Sequence, residues 1–272
     1  MTLTRAQVTD LLARAGRHPS RALGQNFVVD PNTVRRIARL AGVGPDDRVV
    51  EIGAGLGSLT LALVETGAAV TAIELDRHLV PLLRETVEPA GVTVVEGDAM
   101  KLDWAALLGE GPWSLVANLP YNVATPLVAD LLDDVPAVQR MLVMVQREVG
   151  ERLAAGVGDD AYGAVSVKVA YWATAKVVGL VPPTVFFPKP NVDSALVAIE
   201  RRAEPATDAP RERFFQLVRA GFGQRRKMLR RSLAQLVRPE DFESAGIRPE
   251  ARAEELDVAA WGRLAACSLP PS

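Results

Sequence analysis

Four consecutive residues combine an amide, a rigid turn and an aromatic ring, which together could hold a flat aromatic amine. They are Asn118, Leu119, Pro120 and Tyr121, and they follow the apolar run at 114–117. The asparagine oxygen and a backbone carbonyl of Leu119 or Pro120 can accept both hydrogens of such an amine, and the tyrosine can stack on its ring. Hydrogen bonds of this kind favour a pyramidal nitrogen with an exposed lone pair. We predict that this tetrad is catalytic, although four residues alone could also be a structural turn.

A glycine-rich loop with a carboxylate beside it predicts a ligand that carries positive charge. Gly53, Gly55 and Gly57 follow an apolar run, and Glu51 lies just before them. Glycines let the backbone turn tightly and approach a ligand closely. Nicotinamide-binding folds instead use G-x-G-x-x-G, with a helix N-terminus directed at a pyrophosphate. Because a carboxylate is a poor neighbour for a pyrophosphate, the loop favours an ammonium or sulfonium ligand.

Two further carboxylates stand where the next two predicted strands end. Glu74 lies 21 residues after Gly53, where a carboxylate typically accepts the hydroxyls of a ribose. Asp98, which Ala99 follows, could accept the exocyclic N–H of an adenine. Each acid alone could be a helix N-cap. The glycine loop and these two carboxylates lie at the ends of three successive predicted strands. Together they favour one adenosyl ligand with a positive charge, S-adenosylmethionine.

The proline-rich segment 181–194 offers a second aromatic ring. Its prolines restrict the backbone, so a phenylalanine held there could form the other half of a stacking sandwich with Tyr121. One of Phe186 and Phe187 could simply belong to the core. We predict that Phe186 is the stacking residue.

Short β-branched runs alternate with helical segments from position 46 onward, which predicts an α/β fold with a doubly wound parallel sheet. Ligands bind such sheets at the carboxyl ends of the strands, where the tetrad, the glycine loop and both carboxylates fall. Two helices precede the sheet, one with Thr4 as N-cap and one opened by Pro31. The predicted strands lie at 49–52, 70–73, 92–95, 115–117 and 141–145, and helices begin near Ser58, Arg77, Leu102 and Ala124.

The later part of the chain is less regular. Residues 161–173 fit either a strand or a helix, and the runs at 177–181 and 195–199 resemble a closing hairpin. The polar, proline-bearing segment 201–210 is the best linker candidate. Helical spacing of apolar residues after it predicts a small all-α domain. We therefore expect a catalytic domain over 1–205 and a helical domain over 206–272.

Charge is distributed unevenly along the 272 residues, although the net charge is only −2. Residues 1–39 carry seven arginines against two aspartates, and residues 211–238 carry nine arginines or lysines against one glutamate. Such flanks favour a polyanionic partner, while arginines that merely solvate helices are the competing interpretation. The predicted RNA contacts are Arg225, Arg226, Lys227, Arg230 and Arg231, with Arg226, Arg230 and Arg231 on one helix and Met228, Leu229 and Leu233 facing inward.

Composition excludes several classes of protein. One cysteine, Cys267, permits no internal disulfide, and with only two histidines it argues against a zinc site. It also fits a reducing, cytoplasmic environment. No apolar run approaches the ~18 residues of a membrane span. We expect a monomer that binds neither metal nor membrane.

In combination, these motifs closely resemble the rRNA adenine N6,N6-dimethyltransferases, and within that family the bacterial small-subunit enzymes. The resemblance extends from Leu23 to about Leu236, and the ordered set of motifs is more specific than any single one. The motifs are residues 23–27, 51–57, Glu74, 97–99, 118–121, 186–190, 192–194 and 222–233.

The resemblance implies a cofactor, a reaction and a partner. Asn26 and the backbone at Val28 and Gly53 would contact S-adenosylmethionine, with Gln25 nearby. Asn118 would face both the cofactor and the target amine. The reaction would place two methyl groups on each of two adjacent adenosines in the 3′-terminal hairpin loop of 16S rRNA, within an immature small ribosomal subunit. Residues 161–173 would be helical. Val28 stands where leucine is usual and Asn191 where lysine is common, so a phosphate contact by Asn191 is not expected.

Four alternatives differ in testable features. A 23S rRNA dimethyltransferase that confers antibiotic resistance would share the catalytic motifs, but the segment 222–233 favours the small-subunit enzymes. A DNA adenine methyltransferase would more usually have proline at Leu119. A non-catalytic assembly factor would be expected to lack cofactor residues. A nicotinamide dehydrogenase is disfavoured by the glycine spacing.

Overall fold

The computed structural model describes residues 2–20 and 24–268, so Leu23 of the predicted cofactor motif lies outside the described residues. The first two helices begin where the sequence predicts. The Thr4 hydroxyl accepts from the Gln7 backbone N–H, and the Gln7 side chain accepts from the Thr4 N–H. Asp30 accepts from the Thr33 N–H at 2.8 Å, with Pro31 as the first helical residue.

Seven of the strands form one sheet, in the order β4-β3-β2-β5-β6-β9-β7, within the described ranges. The pairs β3–β4, β2–β3, β2–β5 and β5–β6 are parallel, and β9 runs antiparallel to β6. The predicted doubly wound sheet is confirmed. The strands are β1 (Phe27–Val28), β2 (Arg48–Ile52), β3 (Ala69–Glu74), β4 (Thr93–Glu96), β5 (Trp113–Asn118), β6 (Val138–Gln146), β7 (Ala173–Val181), β8 (Phe186–Phe187) and β9 (Ser194–Arg201).

Helices connect the parallel strands and continue through the end of the described chain. They are α1 (Arg5–Arg14), α2 (Pro31–Ala41), α3 (Ser58–Val64), α4 (Val80–Val87), α5 (Trp104–Leu108), α6 (Ala124–Asp134), α7 (Arg147–Ala154), α8 (Ala164–Trp172), α9 (Arg211–Gly223), α10 (Leu229–Ser232), α11 (Pro239–Ser244) and α12 (Val258–Cys267).

Antiparallel pairing of β9 with β6 determines what lies beside the tetrad. Because β5 and β6 are parallel, Asn118 lies opposite Met144 near their carboxyl ends. Ser194, the first residue of β9, lies opposite Gln146 at the end of β6. A strand that begins here therefore brings its first side chain to the ligand-binding edge of the sheet.

The chain divides into two compact units, one of Met1–Gly150 with Lys176–Arg201 and one of Glu151–Ala175 with Arg202–Ser272. The first contains most of the sheet and the predicted catalytic residues. The second has its own aromatic core around the fully buried Phe214 and Trp261. The expected division at 205/206 falls close to one of these boundaries, but it assigned 151–175 to the catalytic domain.

Residues 161–173, ambiguous in sequence, are mostly helical. Helix α8 covers Ala164–Trp172, and β7 begins at Ala173. The Ser166 hydroxyl accepts from the Gly163 N–H at 3.1 Å and thereby caps the helix. The helix that the resemblance implies is the form observed.

The prediction that Arg226, Arg230 and Arg231 lie on one helix is wrong. Helix α9 ends at Gly223, a turn follows, and α10 is a separate single turn. The N–H groups of Leu229 and Arg230 donate to Ala251 and Pro249 at 2.7 and 3.0 Å, so this backbone is bonded to a distant segment instead of to α9.

Two consequences of this break correct the sequence prediction. Arg226 lies in the turn and not on one helix with Arg230 and Arg231. Met228 is 39% exposed and does not face inward, whereas Leu229 and Leu233 are fully buried as expected.

Among residues 2–20 and 24–268, no helix has the length and apolar character needed to cross a membrane.

Candidate active site

A cleft at the carboxyl ends of β2, β3, β4 and β5 brings together most of the predicted site residues. It has about 1180 Å³ of empty volume, counting the open solvent at its mouth. Gly57 and Phe186 do not line it. The predicted residues that line it are Gln25, Asn26, Val28, Glu51, Gly53, Gly55, Glu74, Asp98, Ala99, Asn118, Leu119, Pro120 and Tyr121.

The three loop glycines have left-handed backbones, with φ of 71°, 60° and 89° at Gly53, Gly55 and Gly57. A Cβ on Gly55 would stand 3.0 Å from the Phe27 ring, and one on Gly57 would stand 2.5 Å from Val87 Cγ1. Gly55 therefore lets the loop pass close to the N-terminal segment. Gly57 serves helix packing instead, since it begins α3 against α4.

Glu51 is buried at the floor of the cleft and is 2% exposed. Its Oε2 has no hydrogen-bond partner among the described residues. Burial raises its pKa from 4.5 to about 8, the nearby Thr60 side chain opposes the change, and the nearby Glu74 raises the pKa further. A buried, unpartnered carboxyl group beside a second carboxylate is suited to a cationic ligand.

Glu74 ends β3 and is held by two backbone N–H groups. Gly55 donates to Oε2 at 2.7 Å and Asp76 donates to Oε1 at 2.8 Å. Burial raises the pKa of this carboxyl, while the two backbone donors oppose that change. Each oxygen keeps a further lone pair, so the side chain can also accept from two hydroxyl groups in the cleft.

Asp98 lies in a tight turn just after β4 and lines the cleft. Its Oδ1 accepts from the Met100 N–H at 3.0 Å, and its Oδ2 lies 3.4 Å from the exposed Lys101 ammonium. Ala99 accepts from the Trp104 indole at 3.1 Å through its carbonyl oxygen. These contacts hold the Asp98 carboxylate at the cleft wall.

The segment before β1 forms the opposite wall. The Gln25 side chain accepts from the Ser20 N–H at 2.8 Å and donates to Asp76 at 3.0 Å, so it bridges this segment to the end of β3. Asn26 donates from its side chain to the Gly24 carbonyl at 3.1 Å. Residues 24–28, which we call the strap, are therefore held by hydrogen bonds of Gln25 and Asn26.

The Asn118 amide is oriented by this strap. Its Nδ2 donates to the Asn26 backbone carbonyl at 3.0 Å. Because the nitrogen is used in this way, Oδ1 is the atom that remains to accept from a ligand amine. Sequence reasoning could not find this contact, since it joins a side chain to a backbone atom far away in the chain.

Tyr121 lines the cleft, and its hydroxyl lies 2.9 Å from the Ser194 hydroxyl. Burial raises the pKa of this phenol and the bond to Ser194 opposes the change, so Tyr121 is neutral near pH 7. Leu119 is buried, with its N–H bonded to the Met144 carbonyl at 3.0 Å.

The assignment of Phe186 as a stacking residue is corrected by its position. Strand β8 pairs with β1, with Val28 opposite Phe186 and Phe27 opposite Phe187. Successive side chains of a strand alternate between faces. Phe186 therefore packs fully buried in the main core, and it does not face the cleft. Phe187 lies on the other face with Phe27, beside the cluster that includes Leu56.

Three of the cleft residues to which sequence reasoning assigned no role are Leu75, Met100 and Phe27. Leu75 and Met100 are 52% and 40% exposed, each just past a cleft carboxylate, and Phe27 lies against the glycine loop. A large apolar residue directly after a strand-end acid is the signal that could have found the first. Together Leu75 and Met100 offer apolar surface for a flat ring.

The predicted RNA contacts fall into two groups in the second unit. Arg225 pairs with Glu254 at 2.7 Å, and Arg230 lies 3.3 Å from Glu250. All five side chains are exposed. Those without an acidic partner among the described residues are Arg226, Lys227 and Arg231.

The chain resembles known proteins along nearly its whole length. The family model described as ribosomal RNA adenine dimethylase matches residues 18–267. Ribosomal RNA small subunit methyltransferase A of Thermobifida fusca (strain YX) is 49% identical, over 97% of this chain and 95% of that relative.

Solved structures share the fold. The 23S rRNA methyltransferase ErmE has a TM-score of 0.72 and 26% identity, over 89% of this chain and 99% of that one. A dimethyladenosine transferase from Plasmodium falciparum has a TM-score of 0.74 and 24% identity, over 86% of this chain and 94% of that one. The family match and the full-length relative lead to one conclusion: the chain belongs to the ribosomal RNA adenine dimethylase family.

Proposed function

We propose that this chain is an S-adenosylmethionine-dependent enzyme that methylates adenosine N6 amines in 16S rRNA. It adds two methyl groups to each of two adjacent adenosines in the 3′-terminal hairpin loop. In each transfer an N–CH₃ bond would form as the S–CH₃ bond of S-adenosylmethionine breaks, so that S-adenosylhomocysteine and one N–H proton are released. The single observation that carries this proposal is the Asn118 amide, oriented at the cleft with its oxygen left to accept, in a chain 49% identical to a small-subunit methyltransferase.

The cleft residues fit the proposed cofactor. Glu51 supplies an unpartnered buried carboxyl group for the cationic end, and Glu74 supplies two acceptors for the ribose. Asp98 would accept at the adenine edge, and Leu75 and Met100, which line the same cleft, would offer apolar surface to the ring. When bound, S-adenosylmethionine supplies an electrophilic methyl group on a sulfonium.

The tetrad can hold the target amine through two acceptors. Asn118 Oδ1 accepts one N–H. The Pro120 carbonyl already accepts from the Val123 and Ala124 N–H groups at the start of α6, each at 3.1 Å. The Leu119 carbonyl is therefore the second acceptor in this proposal. Tyr121 stacks on the base, which has left its helical stack. Preorganised acceptors supply the catalysis, and no strong base is needed.

The RNA partner is contacted by the basic residues around the turn after α9. The exposed, unpaired cations Arg226, Lys227 and Arg231 bind phosphates by shape and charge, not by sequence. Arg225 and Arg230 contribute once they exchange their glutamate partners for phosphate. The substrate is 16S rRNA in an immature small subunit, and the enzyme acts in the cytoplasm as a monomer without a metal.

A second candidate is methylation of 23S rRNA. The structural likeness to ErmE favours it, at a TM-score of 0.72. The sequence favours the small subunit, since identity is 26% to ErmE and 49% to the small-subunit relative.

One experiment separates these candidates. Labelled S-adenosylmethionine is supplied with unmethylated small subunits, unmethylated large subunits and naked RNA, and the modified bases are identified by mass spectrometry. We expect dimethyladenosine in small-subunit RNA. Dimethyladenosine confined to large-subunit RNA would establish the second candidate. Tight subunit binding without any transfer would favour a non-catalytic assembly factor.

A further inference from the structure

Ser194 joins the first residue of β9 to the catalytic loop. Its hydroxyl lies 2.9 Å from the Tyr121 hydroxyl, and the residue is fully buried. Buried hydroxyl groups nearly always have a hydrogen-bond partner. Among the described residues, Tyr121 is the only side-chain hydrogen-bond partner of Ser194. The pair is therefore a dedicated contact between a strand and the cleft.

The two ends of this contact differ in rigidity. Ser194 pairs with Gln146 in the β6–β9 ladder, and the next two residues, Ala195 and Leu196, are fully buried. Tyr121 follows β5 in a loop, and its ring can turn about two side-chain torsions. Its hydroxyl lies on the axis of the second torsion. The hydrogen bond therefore fixes the direction of the ring axis.

We propose that Ser194 is a positioning residue for adenine methylation, because it holds the Tyr121 ring where the target base stacks beside Asn118. This inference rests on the proposed function. Misplacement of a reacting group by about 1 Å can cost about a hundredfold in rate. Ser194 need not touch the base, since it acts through Tyr121.

A double-mutant cycle tests the proposal with the full-length enzyme and unmethylated small subunits. Ser194→Ala, Tyr121→Phe and the double variant all keep an aromatic ring at position 121. We expect each single variant to lower kcat about three- to tenfold, the factor of a typical net hydrogen bond. The double variant should lose no more than either single variant, because both remove the same bond. The KM for S-adenosylmethionine should not change.

Ser114→Ala is the matched control, because Ser114 is also a buried serine and lies at the other end of β5 from Asn118. It should leave kcat unchanged. A double variant whose loss is the product of the two single losses would overturn the proposal. So would a Ser194→Ala enzyme with lowered thermal stability and wild-type kcat, since that is the behaviour of a purely structural serine.

A spectroscopic experiment tests the same contact without measuring turnover. The chain has three tyrosines, so enzyme labelled with 3-fluorotyrosine gives a simple ¹⁹F NMR spectrum, and Tyr121→Phe identifies the Tyr121 signal. We expect Ser194→Ala to shift that signal and to add motion to the ring. An unchanged signal would overturn the proposal. If the wild-type enzyme methylates no RNA, the proposed function fails, while this spectrum still reports whether Ser194 holds Tyr121.

Discussion

At the residue scale, the direction of one amide decides how the cleft can act. Asn118 offers a donor and an acceptor at nearly the same place, and only the acceptor can hold an amine hydrogen. The Asn26 carbonyl removes the ambiguity by accepting from Nδ2 at 3.0 Å. The strap that borders the cleft thus also orients the side chain that we propose is catalytic.

Asn118→Ala should abolish this arrangement while the cleft stays intact. We expect kcat to fall about 10²- to 10³-fold, as when one preorganised hydrogen-bonding group is removed. Isothermal titration should show unchanged affinity for RNA. Asn32→Ala, at an exposed asparagine in α2, is the control and should keep full activity. Unchanged turnover in Asn118→Ala would contradict the mechanism.

The Glu51 carboxyl predicts how stability depends on pH. Its pKa is about 8 in the folded chain and 4.5 ordinarily, so between these values the folded state holds a proton that the unfolded state has lost. The free energy of unfolding should therefore fall with rising pH across this window, by up to about 1.4 kcal/mol per pH unit from this group. Below pH 4.5 the contribution is fully present, and it is lost as pH rises through 8.

Glu51→Gln isolates this effect, because Glu74 shifts in the same direction and remains. Urea unfolding between pH 5 and pH 8 should show a flatter profile for the variant than for the wild type. Glu96→Gln, at an exposed residue that ends β4, should leave the profile unchanged. Equal slopes for Glu51→Gln and the wild type would show that Glu51 is ionised throughout.

At the element scale, local patterns predicted the sheet, including the closing hairpin of β7 and β9, but not the pairing of β1 with β8. Runs of apolar residues separated by helices are sufficient to specify β2 to β6. The pairing of β1 with β8 joins two-residue strands from distant parts of the chain, and no local pattern indicates it. That register is what turns Phe186 inward, so the stacking residue could not be chosen from sequence.

Local patterns also lack the long-range information that would predict the break after α9. Apolar spacing from 214 to 236 fits one continuous helix, but the periodicity carries no information about where a backbone N–H finds its acceptor. Leu229 donates to Ala251 and the helix stops before it. A tertiary hydrogen bond decided the local structure here.

Gly57 allows α3 and α4 to approach each other, and its replacement tests that packing. Gly57→Ala adds left-handed strain and a Cβ 2.5 Å from Val87 Cγ1. Gly91→Ala is the control, because its φ of 83° is similar but nothing lies within 4 Å. We expect Gly91→Ala to cost about 1–2 kcal/mol of unfolding free energy. Gly57→Ala should cost about 1–3 kcal/mol more. Equal losses in chemical denaturation would rule out the clash.

At the scale of the whole molecule, charge rather than shape separates the two units' expected tasks. The cleft of the first unit is lined by Glu51, Glu74 and Asp98, which suit a cationic cofactor. The second unit carries the exposed cations around the turn after α9, which suit phosphates. A net charge of −2 conceals both properties.

Arg226→Gln combined with Arg231→Gln should weaken RNA binding without affecting the cofactor. Two lost phosphate contacts would reduce the slope of log affinity against log salt by about 1.4 to 1.8. Fluorescence anisotropy over a salt series measures it. Arg238→Gln with Arg248→Gln removes the same charge at residues paired with Asp241 and Glu255, and it should leave the slope unchanged. Loss of cofactor affinity in the first variant would contradict its assignment to RNA.

Because the ladder between β1 and β8 is short, we expect the strap to open reversibly more often than the central strands of the sheet. The ladder joins Phe27 to Phe187 and Val28 to Phe186. These two residue pairs close most of the length of the first unit into a loop. Closing so long a loop costs entropy, and so short a ladder returns little. In hydrogen exchange, the Phe27 and Val28 amides should therefore exchange faster than the amides of β2 and β5. A cofactor that contacts both the strap and Glu74 would slow this exchange. Cofactor binding would then be coupled to local folding of the strap.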